Sequence, residues 1–191
     1  MATTIVRLKV SLRHICPPVW RRVEIAADAT LFNLHRALQT AMGWSDSHLH
    51  QFCHRGVYYG QSDREYGVHR ENERRVRIHD VLRRPKDRLV YEYDFGDGWE
   101  HEVVLESLEE ARPGMRYPRV VAGKRACPPE DVGGLGGYEN FLEAIANPEH
   151  PEHQEFLEWC GGPFDPEQFD LKAANAGITP AARLVAPEQP G

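Results

Sequence analysis

At 191 residues, 41% apolar and 27% charged, the chain is long enough to bury a core without disulfide or metal staples. No run approaches the roughly 18 apolar residues of a membrane span, and the start at Met1-Ala2-Thr3-Thr4 lacks a charged head followed by an apolar stretch, so a cytoplasmic location is expected. The net charge of −6 hides an asymmetry, 16 Lys and Arg against 9 Asp and Glu in residues 1–90 and 7 against 20 in residues 91–191; because the arginines are scattered among acids, attraction between two parts of one domain is favoured over nucleic-acid contact by the basic half.

Val6, Leu8, Val10 and Leu12 alternate with Arg7, Lys9, Ser11 and Arg13, the pattern of a half-buried strand over Ile5–Leu12. Cys16-Pro17-Pro18 forces a turn, and Val19–Ile25 completes a hairpin. Thr30 is a helix N-cap, Leu31, Leu34, Leu38 and Met42 recur at helical spacing, and Gly43 ends the helix. His48–Tyr59 reads as one extended segment, residues 61–75 as a mobile loop, and Val76–Leu82 as a short strand or helical turn. Arg88–Phe95 and Trp99–Leu108 are strands flanking Gly96-Asp97-Gly98. The order β-β-α-β-(short)-β-β predicts an α+β fold with a mixed or antiparallel sheet, β-grasp-like by analogy. Residues 113–137 are rich in Pro and Gly; Tyr138–Asn147, Glu152–Cys160 and Pro166–Ala174 then predict a helical C-terminal half. One domain over residues 1–180 is expected, with 181–191 a loose tail. Cys16, Cys53, Cys127 and Cys160 form no C-x-x-C pair, so free thiols are expected.

The segment from Tyr91 to Val103 is the most informative. A two-residue Asp97-Gly98 turn would bury carboxylates among aromatics, and an unpaired buried carboxylate costs more than an unfavourable turn type. A three-residue Gly96-Asp97-Gly98 loop is therefore expected, pairing Phe95 with Trp99, Tyr93 with His101 and Tyr91 with Val103. It turns His101 onto the apolar face and gathers Glu92, Asp94, Glu100 and Glu102 on the other, where arginines would neutralise them.

His48 and His50 share one face of an extended segment. If that face meets His101, three imidazoles and an open position result, a donor set for a divalent metal such as zinc, with Asp94 or Asp97 as base. Tyr91, Tyr93, Trp99, Glu130 and Asp131 are candidates for a ligand pocket. Cys127 to Tyr138 is glycine-rich and leads into a helix but lacks the residues of a phosphate loop, so a tight structural connection is expected.

Several stretches together resemble one family. They are Leu8–Pro18 with Trp20-Arg21-Arg22, Ala41–Phe52, Tyr91–Glu102, Gly123–Gly134, Gly136-Gly137-Tyr138 and Gly161–Asp165. In these the chain is similar to the plasmid pRiA4b ORF-3-like proteins, often passengers of insertion elements. The resemblance implies an α+β fold, a bacterial or archaeal origin and a link to mobile DNA, but no reaction. The expected function is a non-enzymatic accessory module that binds a protein or small ligand. Two alternatives stand beside it: a metal-dependent hydrolase or nuclease using the histidines, and a DNA-binding protein using Arg21, Arg22, Arg36 and the Arg74–Arg88 region.

Overall fold

Among the described residues seven strands form one sheet in the order β4-β3-β5-β6-β1-β2-β7, and every neighbouring pair is antiparallel. The computed structural model describes residues 3–62 and 69–178. The two expected N-terminal strands are β1 (Thr4–Leu12) and β2 (Trp20–Ala26), a hairpin that pairs Ile5 with Ala26 and Ser11 with Trp20. Inward Val6, Leu8 and Val10 are fully buried.

Helix α1 (Leu31–Met42) starts and stops where the residue types dictate. Thr30 Oγ1 accepts the Asn33 N–H and Asn33 Oδ1 accepts the Thr30 N–H, a reciprocal cap that contributes about 1 kcal/mol, and Gly43 closes the helix at φ 86°. Its buried stripe of Leu31, Leu34 and Leu38 covers the sheet's inner face with the aromatic core.

Beyond α1 the structure departs from expectation. The single extended segment is a hairpin, β3 (His50–His54) and β4 (Val57–Gly60), reversed at Arg55-Gly56, both left-handed at φ 51° and 81°. Arg-Gly is a weaker turn signal than Asn-Gly, which is why the sequence hides it. Val76–Leu82 resolves into one helical turn, α2 (Ile78–Val81). Residues 63–68 of the expected mobile loop lie outside the described residues, as does the expected tail 181–191. The loop's end is anchored: Glu71 bridges Tyr59, and Glu73 is 6% exposed.

β5 (Arg88–Tyr93) and β6 (Trp99–Glu110) pair Tyr93 with Trp99, Tyr91 with His101 and Leu89 with Val103. The register therefore lies two residues from the expected one. A shift of two preserves facing, so His101 still points inward at 0% exposure. The loop is five residues long because Asp94, left-handed at φ 56°, accepts the Gly96 and Asp97 N–H groups on Oδ1 and closes the turn early. Phe95 is thereby expelled to 40% exposure, and Asp94 leaves the outer face for a site 7% exposed.

The sheet continues past Pro113 into β7 (Arg119–Lys124), which the Pro/Gly-rich composition masked. Helices α3 (Gly134–Ala146), α4 (His153–Trp159) and α5 (Ala173–Ala176) follow, so the C-terminal helices begin only after β7 and do not fill a helical half. The expected Pro166–Ala174 helix is turns and irregular backbone up to α5. Of the two sheet types expected, mixed or antiparallel, the sheet is the antiparallel one.

The outer face is latticed by ion pairs that join the basic and acidic halves: Arg13 to Glu100 at 2.6 Å, Arg22 to Glu106 at 2.6 Å, Arg88 to Glu102 at 2.8 Å and Arg7 to Glu109 at 2.9 Å. Arginines neutralise two of the outer glutamates as expected, Arg13 for Glu100 and Arg88 for Glu102, whereas Glu92 accepts the Gln51 side-chain N–H at 2.5 Å. No described helix is long and apolar enough to cross a membrane, and the four thiols are free.

Candidate functional site

The segment Trp44-Ser45-Asp46-Ser47-His48-Leu49-His50 joins α1 to β3 and runs over the hydroxyl ends of Tyr91 and Tyr93 on β5. It contributes residues to two polar clusters of opposite character.

The first cluster closes on itself. Tyr91 Oη accepts the Gln39 side-chain N–H at 2.8 Å and meets His35 Nδ1 at 2.8 Å, so the phenol donates to that nitrogen and leaves Nε2–H to face Asp46 at 2.9 Å. Burial, chiefly, and the adjacent His50 ring press the His35 pKa down to about 3. His50 Nε2 in turn lies 2.9 Å from Glu73. Each of these contacts already has its proton, so a metal here would have to displace a hydrogen bond.

The second cluster does not close. His48 Nε2 lies 3.0 Å from Asp131 Oδ1 and 3.8 Å from Asp94 Oδ2, yet the nitrogen is buried and makes no hydrogen bond. Asp94 spends Oδ1 on the backbone of its own loop and aims Oδ2 at the imidazole. Asp46, Asp94 and Asp131, the carboxylates of the two clusters, all stand in the left-handed region at φ 60°, 56° and 60°. For a residue other than glycine that conformation costs on the order of 1 kcal/mol, and such residues gather at ligand sites.

Around this cluster the chain is tightly held. Glu130 Oε1 accepts the Tyr93 O–H at 2.5 Å, and its Oε2 accepts the Ser45 N–H at 2.9 Å and the Ser45 hydroxyl at 2.5 Å. Burial raises the Glu130 pKa, but these hydrogen bonds outweigh it and the net shift is downward. The Tyr93 hydroxyl, pushed well up by burial and by Glu130, also accepts the Ser47 N–H at 3.0 Å. Asp97 Oδ2 accepts the Gly133 N–H at 3.2 Å, which places a carboxylate beside the N-terminus of α3. Gly134 and Gly137 are required by contact: a Cβ on Gly134 would stand 2.6 Å from the Asp97 carbonyl oxygen, and one on Gly137 would stand 1.9 Å from that of Val132. The glycine-rich run is thus a tight connection that fixes Asp131 against His48.

The expected histidine triad is not assembled. His48 and His50 fall into different clusters, because His48 precedes β3 in a bend and does not share the face of His50. His101 belongs to neither; it packs edge-on to Trp44 at 5.3 Å, and burial lowers its pKa to about 4. Among the pocket candidates, Tyr91, Tyr93 and Trp99 are core residues at 0–1% exposure, whereas Glu130 and Asp131 line an open cleft of about 460 Å³ beside Trp44, Pro128, Pro129 and Trp159. Sequence reasoning missed His35, Asp46, Ser45, Ser47 and Glu73. For Ser45, Asp46 and Ser47 the available signal was the dense polar run between Gly43 and Phe52; His35 and Glu73 lie outside it.

A family model described as plasmid pRiA4b ORF-3-like protein matches residues 4–173. The chain is 43% identical over 176 residues to the uncharacterised protein y4hQ of Sinorhizobium fredii, covering 92% of this chain and 88% of that protein. It is also similar to the crystal structure of MM3350 from Methanosarcina mazei Go1, a protein of unknown function, with a TM-score of 0.82, 36% identity and coverage of 91% and 97% of the two chains.

Proposed function

The chain belongs to the plasmid pRiA4b ORF-3-like family, and from that footing we propose that it is a non-enzymatic binding module whose site is a divalent-metal centre formed by His48, Asp94 and Asp131. The observation that supports this reading is the His48 Nε2 atom, buried, without a hydrogen bond, and flanked by two carboxylate oxygens at 3.0 and 3.8 Å. A cation supplies what that geometry lacks: it accepts the imidazole lone pair and relieves the repulsion between Asp94 and Asp131. One imidazole and two carboxylates suit zinc or manganese, and three protein donors leave positions open towards the cleft. A side-chain general base works best with a pKa near the operating pH, which disfavours three titratable groups of this region in that role. Glu130 is held low by its hydrogen bonds, and burial holds His35 at about 3 and His101 at about 4.

The test is elemental analysis and calorimetry of the full chain equilibrated with Zn²⁺ or Mn²⁺. One ion per chain is expected, lost in His48→Ala and Asp94→Asn and retained in His50→Gln. Absence of stoichiometric uptake, or equal uptake by His48→Ala, refutes the centre. Metal-dependent hydrolysis of a phosphodiester or ester that His48→Ala abolishes keeps the centre and replaces the non-enzymatic reading with the hydrolase alternative.

A further inference from the structure

A second, separate surface carries unspent charge. From Arg74 to Arg88 the chain has Arg74, Arg75, Arg77, Arg83, Arg84, Lys86 and Arg88 against two carboxylates, Asp80 and Asp87. All seven basic residues are exposed. The β3–β4 turn adds Arg55, which with His54, Arg83 and Arg84 lines an open cleft of about 480 Å³ at this end of the sheet.

The two carboxylates are engaged by backbone. Asp87 Oδ2 accepts the N–H groups of Arg83 at 2.8 Å and Arg84 at 2.9 Å, and Asp80 Oδ2 accepts the Arg77 N–H at 2.8 Å. Where guanidinium groups here bond to protein they mostly find carbonyls: Arg83 Nε donates to the Asp80 carbonyl at 3.2 Å, and Arg77 donates to that of Asp28. Arg88 pairs with Glu102. Among the described residues no ion pair holds Arg55, Arg83, Arg84 or Lys86, in contrast to Arg7, Arg13 and Arg22 on the outer sheet face.

We propose that this arginine surface docks the phosphate backbone of duplex nucleic acid. Several cations on two neighbouring elements match a ligand of repeating negative charge, where a single phosphate would engage only two or three of them. Of Phe, Tyr and Trp the cleft is lined by Tyr59 alone, which is 9% exposed, and its other ring, His54, is half-buried with Nδ1 held by the Arg88 carbonyl at 2.9 Å, so the cleft offers little on which unpaired bases would stack. Contacts of this kind position a duplex without reading its sequence. The same geometry narrows the sequence expectation. Arg21 is 3% exposed and bonded to the Ala41 carbonyl at 2.8 Å, and Arg22 is tied to Glu106, so neither is available to DNA.

The experiment is fluorescence anisotropy of a labelled duplex of about 30 base pairs titrated with the full chain at several salt concentrations. Micromolar binding is expected at about 50 mM salt, equal for unrelated sequences, with affinity falling linearly in log–log form. Arg83→Glu with Arg84→Glu lowers affinity at least tenfold and flattens the salt slope by about 2. Arg55→Glu, on a different element, lowers affinity as well, so the surface is tested even if the double variant unfolds. Arg116→Glu, exposed on the connection between β6 and β7, leaves binding unchanged. Absence of binding at that salt, equal loss in Arg116→Glu, or binding to heparin without binding to duplex each overturns the proposal.

Discussion

The imidazoles of His35 and His50 lie face to face, their centroids 3.5 Å apart and their planes 4° from parallel. Two protonated rings at that separation repel strongly, and burial holds His35, 1% exposed, neutral. Its pKa is about 3 and that of buried His101 about 4, against 6.5 for an ordinary histidine. The unfolded chain therefore binds more protons than the folded one between those values and about pH 6.5. Stability is full above that window and declines as pH falls through it, by about 2 kcal/mol for each histidine between pH 7 and pH 5. Urea unfolding at pH 7, 6 and 5 measures the decline. The slope is expected to shrink in His101→Gln, and an unchanged slope in that variant contradicts the assignment.

Tyr93→Phe tests the joint beneath the His48, Asp94 and Asp131 cluster, and with it the proposed metal centre. The hydroxyl donates to Glu130 and accepts the Ser47 N–H, so its loss leaves a carboxylate oxygen and an amide without partners. The expected cost is about 1–3 kcal/mol in urea unfolding. Because Ser47 and His48 are then less firmly placed, metal affinity should fall while the stoichiometry stays at one ion. A variant that binds metal as tightly as the parent would show that the hydroxyl does not position His48.

The elements that local chemistry specifies were legible in the residues: the Thr30 cap, the Gly43 stop, the alternation of β1, and the inward facing of His101. What was not legible depended on contacts between distant segments. The Asp94 turn moved the β5–β6 register by two residues, because a side chain bonding its own loop competes with the glycine signal. β7 lies in a Pro/Gly-rich stretch with little alternation and is stitched to α5 by Asn175, which bonds both the N–H and the carbonyl of Val120. His48 and Asp94 were candidates for a metal site and its base and Asp131 for a ligand pocket, but that the three meet depends on the α3 connection, a closeness that no spacing announces.

Gly137→Ala examines that connection. The added methyl would meet the Val132 carbonyl at 1.9 Å, so the backbone before α3 must move. The cost is expected to be at least about 2 kcal/mol, with displacement of Asp131 and loss of metal uptake. Gly136→Ala is the matched control, since nothing lies within 4 Å of a Cβ there, and helix propensity makes it neutral or stabilising by up to about 1 kcal/mol. Similar melting temperatures for the two variants would contradict the contact.

Glu24, 2% exposed, links three strands through Arg7 on β1 at 2.7 Å and Arg119 on β7 at 3.1 Å, with Arg112 at 3.6 Å. Glu24→Gln keeps the volume and removes the charge, which leaves three guanidinium groups around a neutral amide. Deep burial of all partners would make the loss about 3–5 kcal/mol. Here Arg7 and Arg119 are 28% exposed and Arg112 50%, so each turns partly to water, and about 1–3 kcal/mol is the expected cost. Since the cluster holds β7 against β2, hydrogen exchange at Val120 to Ala122 should accelerate more than at β5. Uniform acceleration across the sheet would mean that Glu24 supports global stability without anchoring this edge.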